Sequence, residues 1–249
     1  MQPPHYLIIG TQKGGTSSLY SALTQHPQIL KAARKEVHFF DQYYARGYPW
    51  YLQQFPACKP GQITGEASPF YMAHPLAAGR MHQHCPETRL VILLRNPADR
   101  AISHYHQEFR RHHDPMSLQQ ALDAENTRTA SDWQALAEGK LLTHSAAQRF
   151  SYRRRGHYAE QLRPFLALFP REQVFIASSE RFFYEPQQLL PELYDFLGVD
   201  PHFHPADLWP RKPGHYGDAD EKIRQHLLDY YRPLNEELFG LIGQRFDWN

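Results

Sequence analysis

The chain lacks most of the features that declare a function outright. Its two cysteines, Cys58 and Cys85, make no metal-binding spacing and no disulfide framework. They fit a reducing compartment, with a single bridge between them left open. No apolar run approaches the ~20 residues that cross a bilayer. The opening "MQPPHYLIIG" has an apolar part of only about five residues that runs straight into glycine, which excludes a signal peptide. A cytoplasmic protein with no membrane span is the expectation. Neither sign of charge dominates, with 27 Lys and Arg against 26 Asp and Glu, so nothing global draws the chain to nucleic acid or an anionic membrane. Repeats, low-complexity segments and linkers are also missing, and one domain over residues 1–249 is expected.

What is present suffices for a folded core: 41% of residues are hydrophobic and 14% aromatic. The 16 histidines fall mostly in polar stretches such as "SHYHQEFRRHH" and read as surface residues. Short apolar runs at residues 6–9, 62–65, 89–94 and 174–177 suit buried parallel strands. Helical patterns fill 16–25, 98–111, 117–138 (with a weak middle), 158–169, 186–197 and 218–242, the last with a bend expected at Pro233. Strands alternating with helices predict an α/β fold with a mostly parallel central sheet flanked by helices. Ligands of such sheets bind beyond the carboxyl ends of the strands. That singles out the loops at 10–16, 66–70, 95–97 and 178–182.

The first of these loops, in "YLIIGTQKGGTSSLYSAL", is a glycine turn between a strand and a helix. Such a turn offers backbone N–H groups and a helix dipole to an anion, with Lys13, Thr16, Ser17 and Ser18 as further donors. In the triphosphate-binding pattern the lysine follows the second glycine. Here Gly10 and Gly15 keep the spacing, but the lysine lies inside the loop. A kinase also needs a carboxylate for Mg²⁺, commonly at the end of a neighbouring strand. The strand "RLVILL" is followed instead by Arg95, which binds phosphate and not a metal. The residues thus predict a phosphate-bearing nucleotide held without a metal.

"GTQKGGTSSL" resembles the 5′-phosphosulfate loop of sulfotransferases that use 3′-phosphoadenosine 5′-phosphosulfate (PAPS). "LLRNPADRAISHY" is similar to their 3′-phosphate motif, an arginine after a strand and a serine eight residues on, here Arg95 and Ser103. "KEVHFFD" and "GEASPFY" resemble two segments of the heparan sulfate branch, and "RRGHYAEQLRPFLALFPREQVFI" a third that follows them. The resemblance runs in family order from about residue 6 to 246. It implies a P-loop-like sulfotransferase fold, PAPS as donor with 3′-phosphoadenosine 5′-phosphate (PAP) as product, and no metal.

By this resemblance Lys13, Gly14, Gly15, Thr16, Ser17 and Ser18 cradle the 5′-phosphosulfate, with Lys13 also catalytic. Glu36 is the implied general base and His38 its rival; a carboxylate with a pKa near 4.3 must be raised, or act through close geometry, to serve at neutral pH. Lys35 orders the loop or binds the leaving nucleotide. Tyr152, Arg155 and Tyr158 approach the adenine or 3′-phosphate, and Arg211, Lys212 and Gly214 close over it. Glu66 is structural, paired with Lys13 or a neighbouring donor. Where the branch has a lysine after that glutamate this chain has Ala67, which favours an acceptor less anionic than heparan sulfate. The aromatic stretch "DQYYARGYPWYLQQF" suits a sugar ring, a flat metabolite or simple packing. The implied partner is a hydroxyl-bearing carbohydrate or small metabolite. A P-loop kinase, and a non-catalytic nucleotide binder of the same fold, are the alternatives.

Overall fold

The computed structural model describes residues 2–140, 143–207 and 218–248. Contacts between Cα atoms group the chain into two compact units, Met1–Leu94 with Pro164–Arg211, and Arg95–Arg163 with Lys212–Asn249.

The first unit carries the sheet. Its strands are β1 (Tyr6–Gly10), β2 (Ile29–Lys31), β3 (Ile63–Ala67), β4 (Arg89–Leu94) and β5 (Val174–Ser178). They lie in the order β2-β3-β1-β4-β5, with every pairing parallel. The apolar runs of β1 and β4 are buried from end to end apart from Arg89, as strands covered on both faces must be. Helix α1 (Thr16–Leu23) packs Leu19, Tyr20 and Leu23 into a core with Ile8, Val91 and Leu93, joined by Leu189, Leu190 and Leu193 of α10 (Pro186–Leu197). Gly65 in β3 is required by close approach, since a Cβ there would sit 2.2 Å from the Tyr6 carbonyl oxygen. β1 is central: the chain leaves it for β2 on one side and later reaches β4 on the other. The loop after β1 therefore stands at the point where strand order reverses, the usual ligand position in such sheets.

Four of the strands match the expected runs to within two residues, whereas β2 has only three residues and no period to read. Helices α2 (Tyr48–Leu52), α3 (Ala77–His84) and α9 (Ser179–Tyr184) of this unit were not expected either. Cys58 and Cys85 are both free thiols, which settles the open pairing.

The second unit is helical. It contains α4 (Pro97–Arg110), α5 (Leu118–Asp123), α6 (Glu125–Ala137), α7 (Ala146–Phe150), the start of α8 (Tyr158–Leu168) and α11 (Asp218–Ile242). Ala98, Ala101, Ile102 and Tyr105 of α4 pack with Leu118, Leu122, Tyr152, Leu227 and Tyr231. The single helix expected over 117–138 is two: Ser117 starts the first with a capping box, and Ala124 ends it before the second begins. Among the described residues, no helix is long and apolar enough to cross a membrane.

Candidate functional site

The glycine loop follows from what its residues permit. Gly15 takes φ 89°, a left-handed conformation that glycine adopts at little cost, and it stands at the N-cap of α1. It has no side chain to cap the helix, so the first-turn N–H groups and the positive dipole end form the kind of terminus that receives an anion. A Cβ on Gly14 would fall 2.8 Å from the Leu93 carbonyl oxygen, so the backbone there approaches β4 as only glycine can. The loop is pinned from three sides. Thr11 N–H donates to the Leu93 carbonyl (2.7 Å), Gly14 N–H to the Thr11 carbonyl (2.9 Å), and the buried Ser179 hydroxyl to the Gly14 carbonyl (2.6 Å). Lys13 sits within it at φ 70°, uncommon for a residue with a side chain. Thr16 is buried and Ser17 exposed at the helix start.

A second loop, residues 35–41, has no regular structure and holds a line of charges. Lys35 Nζ lies 2.9 Å from Glu36 Oε1, His38 Nε2 lies 3.1 Å from Glu36 Oε2, and His38 Nδ1 lies 2.7 Å from Asp41 Oδ2. Asp41 is fully buried, while the Glu36 side chain is 41% exposed. Burial favours a neutral Glu36, but the hydrogen bond from His38 and the Lys35 charge outweigh it and lower the carboxyl to about 2. Burial likewise disfavours a charged His38. The two carboxylates on either side overcome this and raise the imidazole to about 10. Glu36 is thus ionised and His38 protonated at neutral pH. Of the two routes open to Glu36, a raised carboxyl is not what this environment gives, and close geometry is the one that remains. Both ring nitrogens of His38 lie against carboxylate oxygens, the arrangement that suits a ring donating on both sides.

The backbone of this loop is unusual too. Glu36 and His38 both take left-handed conformations, at φ 59° and 55°. Such residues persist only where their surroundings hold them. The holding comes from Glu66, at the end of β3 and wholly buried. Its carboxylate accepts from Val37 N–H (3.2 Å), the Ser68 hydroxyl (2.6 Å), the Tyr71 hydroxyl (2.7 Å) and the Tyr51 hydroxyl (3.3 Å). Ser68 in turn accepts from His38 N–H at 3.2 Å, and Tyr71 from Phe39 N–H at 2.8 Å. Burial raises the Glu66 carboxyl, while these donors oppose the rise. The neighbouring-donor alternative foreseen for Glu66 is therefore realised. Ala67, also fully buried, ends the same strand.

In the helical unit, Arg95 is half-buried at the start of the turn into α4, whose N-terminus is capped by the Asn96 side chain on Ala98 N–H (3.0 Å). Ser103 lies in that helix, partly exposed. Tyr158 is buried, and its hydroxyl donates to the Arg95 carbonyl at 2.8 Å, which makes it an orienter of the Arg95 backbone. Tyr152 is buried against Asp114 (2.6 Å), and its carbonyl takes a hydrogen bond from the fully buried Arg100. Gly156 is packed on Tyr231, with no room for a Cβ. Arg211, Lys212 and Gly214 lie outside the described residues.

Three contributors escaped the sequence reading: Asp41, the pair Ser68 and Tyr71, and Ser179. Asp41 carried a usable signal, since its spacing from His38 places it within reach on a single turn. Ser179, 165 residues from the glycine it holds, carried only its place in the 178–182 loop.

Comparison with known proteins agrees with this geometry. A family model described as a sulfotransferase domain matches residues 3–209. The chain is 32% identical to heparan sulfate glucosamine 3-O-sulfotransferase 6 of Mus musculus, an alignment covering 99% of this chain and 74% of that protein. It is 26% identical to the membrane-associated sulfotransferase kil1 of Dictyostelium discoideum, covering 98% of this chain and 66% of that one. The chain thus spans about two thirds to three quarters of the length of these curated relatives. The crystal structure of a sulfotransferase from Alicyclobacillus acidocaldarius superposes with a TM-score of 0.81 at 30% identity, covering 99% of this chain and 98% of that one.

Proposed function

The chain belongs to the sulfotransferase family, and from that premise we propose that it moves a sulfuryl group from PAPS to a hydroxyl of a carbohydrate or small metabolite, without a metal, within one domain spanning residues 1–249. The observation that carries the reading is the Glu36–His38–Asp41 line, which holds an ionised carboxylate at the head of a fixed loop. The glycine loop fits the donor, since Gly14 and Gly15 leave no room for a Cβ and open onto an uncapped helix start.

In this reading, the first-turn N–H groups with Thr16, Ser17 and Ser18 receive the 5′-phosphosulfate, and Arg95 and Ser103 receive the 3′-phosphate. Tyr158 keeps Arg95 in place, and Arg211, Lys212 and Gly214 complete the nucleotide contacts. The acceptor oxygen attacks sulfur in line, the bond from sulfur to the bridging phosphate oxygen breaks, and Lys13 stabilises the charge that develops on that oxygen. The hydroxyl proton passes to Glu36. A weak carboxylate suffices because the proton becomes strongly acidic as its oxygen bonds to sulfur, so transfer late in the step runs downhill. His38, held by Asp41, fixes the Glu36 carboxylate through its Nε2 proton. The buried Ala67, in place of the branch's lysine, supports an acceptor less anionic than heparan sulfate. Free Cys58 and Cys85 support a reducing, cytoplasmic setting.

Calorimetry with PAP in EDTA tests the donor site. Binding is expected, and Arg95→Ala should weaken PAP far more than it weakens a nucleotide lacking the 3′-phosphate. Tight binding of Mg²⁺·ATP with none of PAP would return the protein to the kinase alternative. An acceptor screen with radiolabelled PAPS, followed by mass analysis of the product, then tests transfer; nucleotide binding without turnover on any acceptor would leave a non-catalytic binder.

A further inference from the structure

We propose that Glu66 is a positioning residue: from the end of β3 its buried carboxylate, relayed by Ser68 and Tyr71, sets the geometry of the loop that carries Glu36 and His38. The proposal rests on the reading of Glu36 as base and adds how that base is aimed.

Residues 35–38 belong to no helix or strand, so no ladder of backbone hydrogen bonds fixes them. Their three successive N–H groups, at Val37, His38 and Phe39, are instead taken by Glu66, Ser68 and Tyr71 in that order. The two hydroxyls each receive a loop N–H and spend their own proton on Glu66 (2.6 and 2.7 Å). Among the described residues, Val37 N–H and the Ser68, Tyr71 and Tyr51 hydroxyls all donate to the carboxylate, the arrangement an ionised group requires. Such a centre is costly to bury, and loss of a relaying hydroxyl, Ser68 or Tyr71, strands the loop N–H that it accepts. It also fixes orientation: holding the N–H on both sides of residue 37 leaves Glu36 and His38 little choice but their left-handed backbone. Side chains mounted on such residues change direction by several ångströms if the backbone relaxes. A displacement of about 1 Å in a catalytic group can cost ~10²-fold in rate.

Tyr51 supplies the control. Its hydroxyl also donates to Glu66, at 3.3 Å, but among the described residues it accepts no loop N–H. Purely structural work by this cluster would make Tyr51→Phe, Tyr71→Phe and Ser68→Ala alike, each losing activity in step with melting temperature. Positioning predicts a split. Tyr71→Phe and Ser68→Ala should lower kcat by ~10–10²-fold with donor KM and PAP affinity unchanged, while Tyr51→Phe stays near wild type. Glu66→Gln, which places an amide donor among donors, should be more severe, and the two milder variants carry the test if it does not fold.

A second readout needs no turnover. The groups in contact with the His38 ring are Glu36 and Asp41 on its own loop, and Glu66 from β3 acts on it through its charge. NMR titration of the His38 imidazole should show it protonated far above the ordinary histidine range in wild type, and returned toward that range in Tyr71→Phe and Ser68→Ala as Glu36 swings away. An unchanged titration in both variants, or a kcat loss in Tyr51→Phe equal to that in Tyr71→Phe, would overturn the proposal. If the wild type moves no sulfuryl group at all, the base reading fails, and the titration alone still decides whether Glu66 aims the loop.

Discussion

The glycine loop after β1 and the charged loop at residues 35–41 both stand at carboxyl ends of the same sheet, yet they are held by opposite means. The first is shaped mainly by backbone: Gly14 and Gly15 have no room for a Cβ, a helix begins at once, and the Ser179 side chain adds a fastening. The second is held by side chains from elsewhere, with Glu66, Ser68 and Tyr71 replacing the missing ladder. A backbone-made site tolerates no change of shape but has little to titrate. A side-chain-made site can be altered one proton at a time. Donor binding should therefore depend on the first loop and the chemical step on the second.

Glu36→Gln is the strongest way to separate them. It should reduce turnover by ~10²–10⁴-fold with PAP affinity intact; unchanged turnover, measured with saturating PAPS, would move the proton acceptor elsewhere. Lys13→Ala blurs the contrast by design, being a charge within the backbone-made loop, and is expected to cost ~10²–10³-fold in kcat. A loss confined to donor KM would make it a binding residue only. Gly14→Ala should destabilise the fold by about 1–3 kcal/mol, because the new methyl meets the Leu93 carbonyl; denaturant melts with and without PAP would show both the loss and a weakened ligand stabilisation. Ser179→Ala removes one hydrogen bond from Gly14 and should cost about 1 kcal/mol in the same melts.

The smallest effect is the pH dependence, because solvent reaches Glu36 and screens the pair. His38 is raised from 6.5 to about 10, so its contribution to stability is complete below pH 6.5 and is lost as pH rises from 6.5 through about 10. Glu36 is lowered from 4.5 to about 2, so its contribution is present above pH 4.5 and is lost as pH falls toward 2. The difference in melting temperature between wild type and His38→Gln should shrink across the alkaline window. A flat difference there would mean that the imidazole titrates normally.

The same contrast explains what could be read from the residues alone. The glycine loop was legible because local sterics dictate it: glycine spacing, an apolar strand before and a helix after. Lys13, misplaced for a triphosphate, and Arg95, placed where a metal carboxylate belongs, were legible as departures from the kinase pattern. The charged loop was legible only through its resemblance to relatives, since nothing in "KEVHFFD" states that its N–H groups would be met by residues 30 positions on. β2 was missed because three residues show no alternation, and α3 because its exposed polar face hides Ala77, Ala78 and Met81. The break at Ala124 was visible only as a weak middle, although Ser117 and Gln120 announced a helix start.

The Ser179 hydroxyl on the Gly14 carbonyl has a consequence in time as well as in space. The cradle is written within the first 18 residues, but one of its three fastenings comes from the helix after the edge strand β5. Contacts of such sequence separation form late, because a long stretch of chain must first be closed. The N-terminal segment of a growing chain would carry the complete glycine signature and still hold it loosely. The loop is fully fastened only once β5 and the helix after it have been made, so its final shape reports on completion of the sheet.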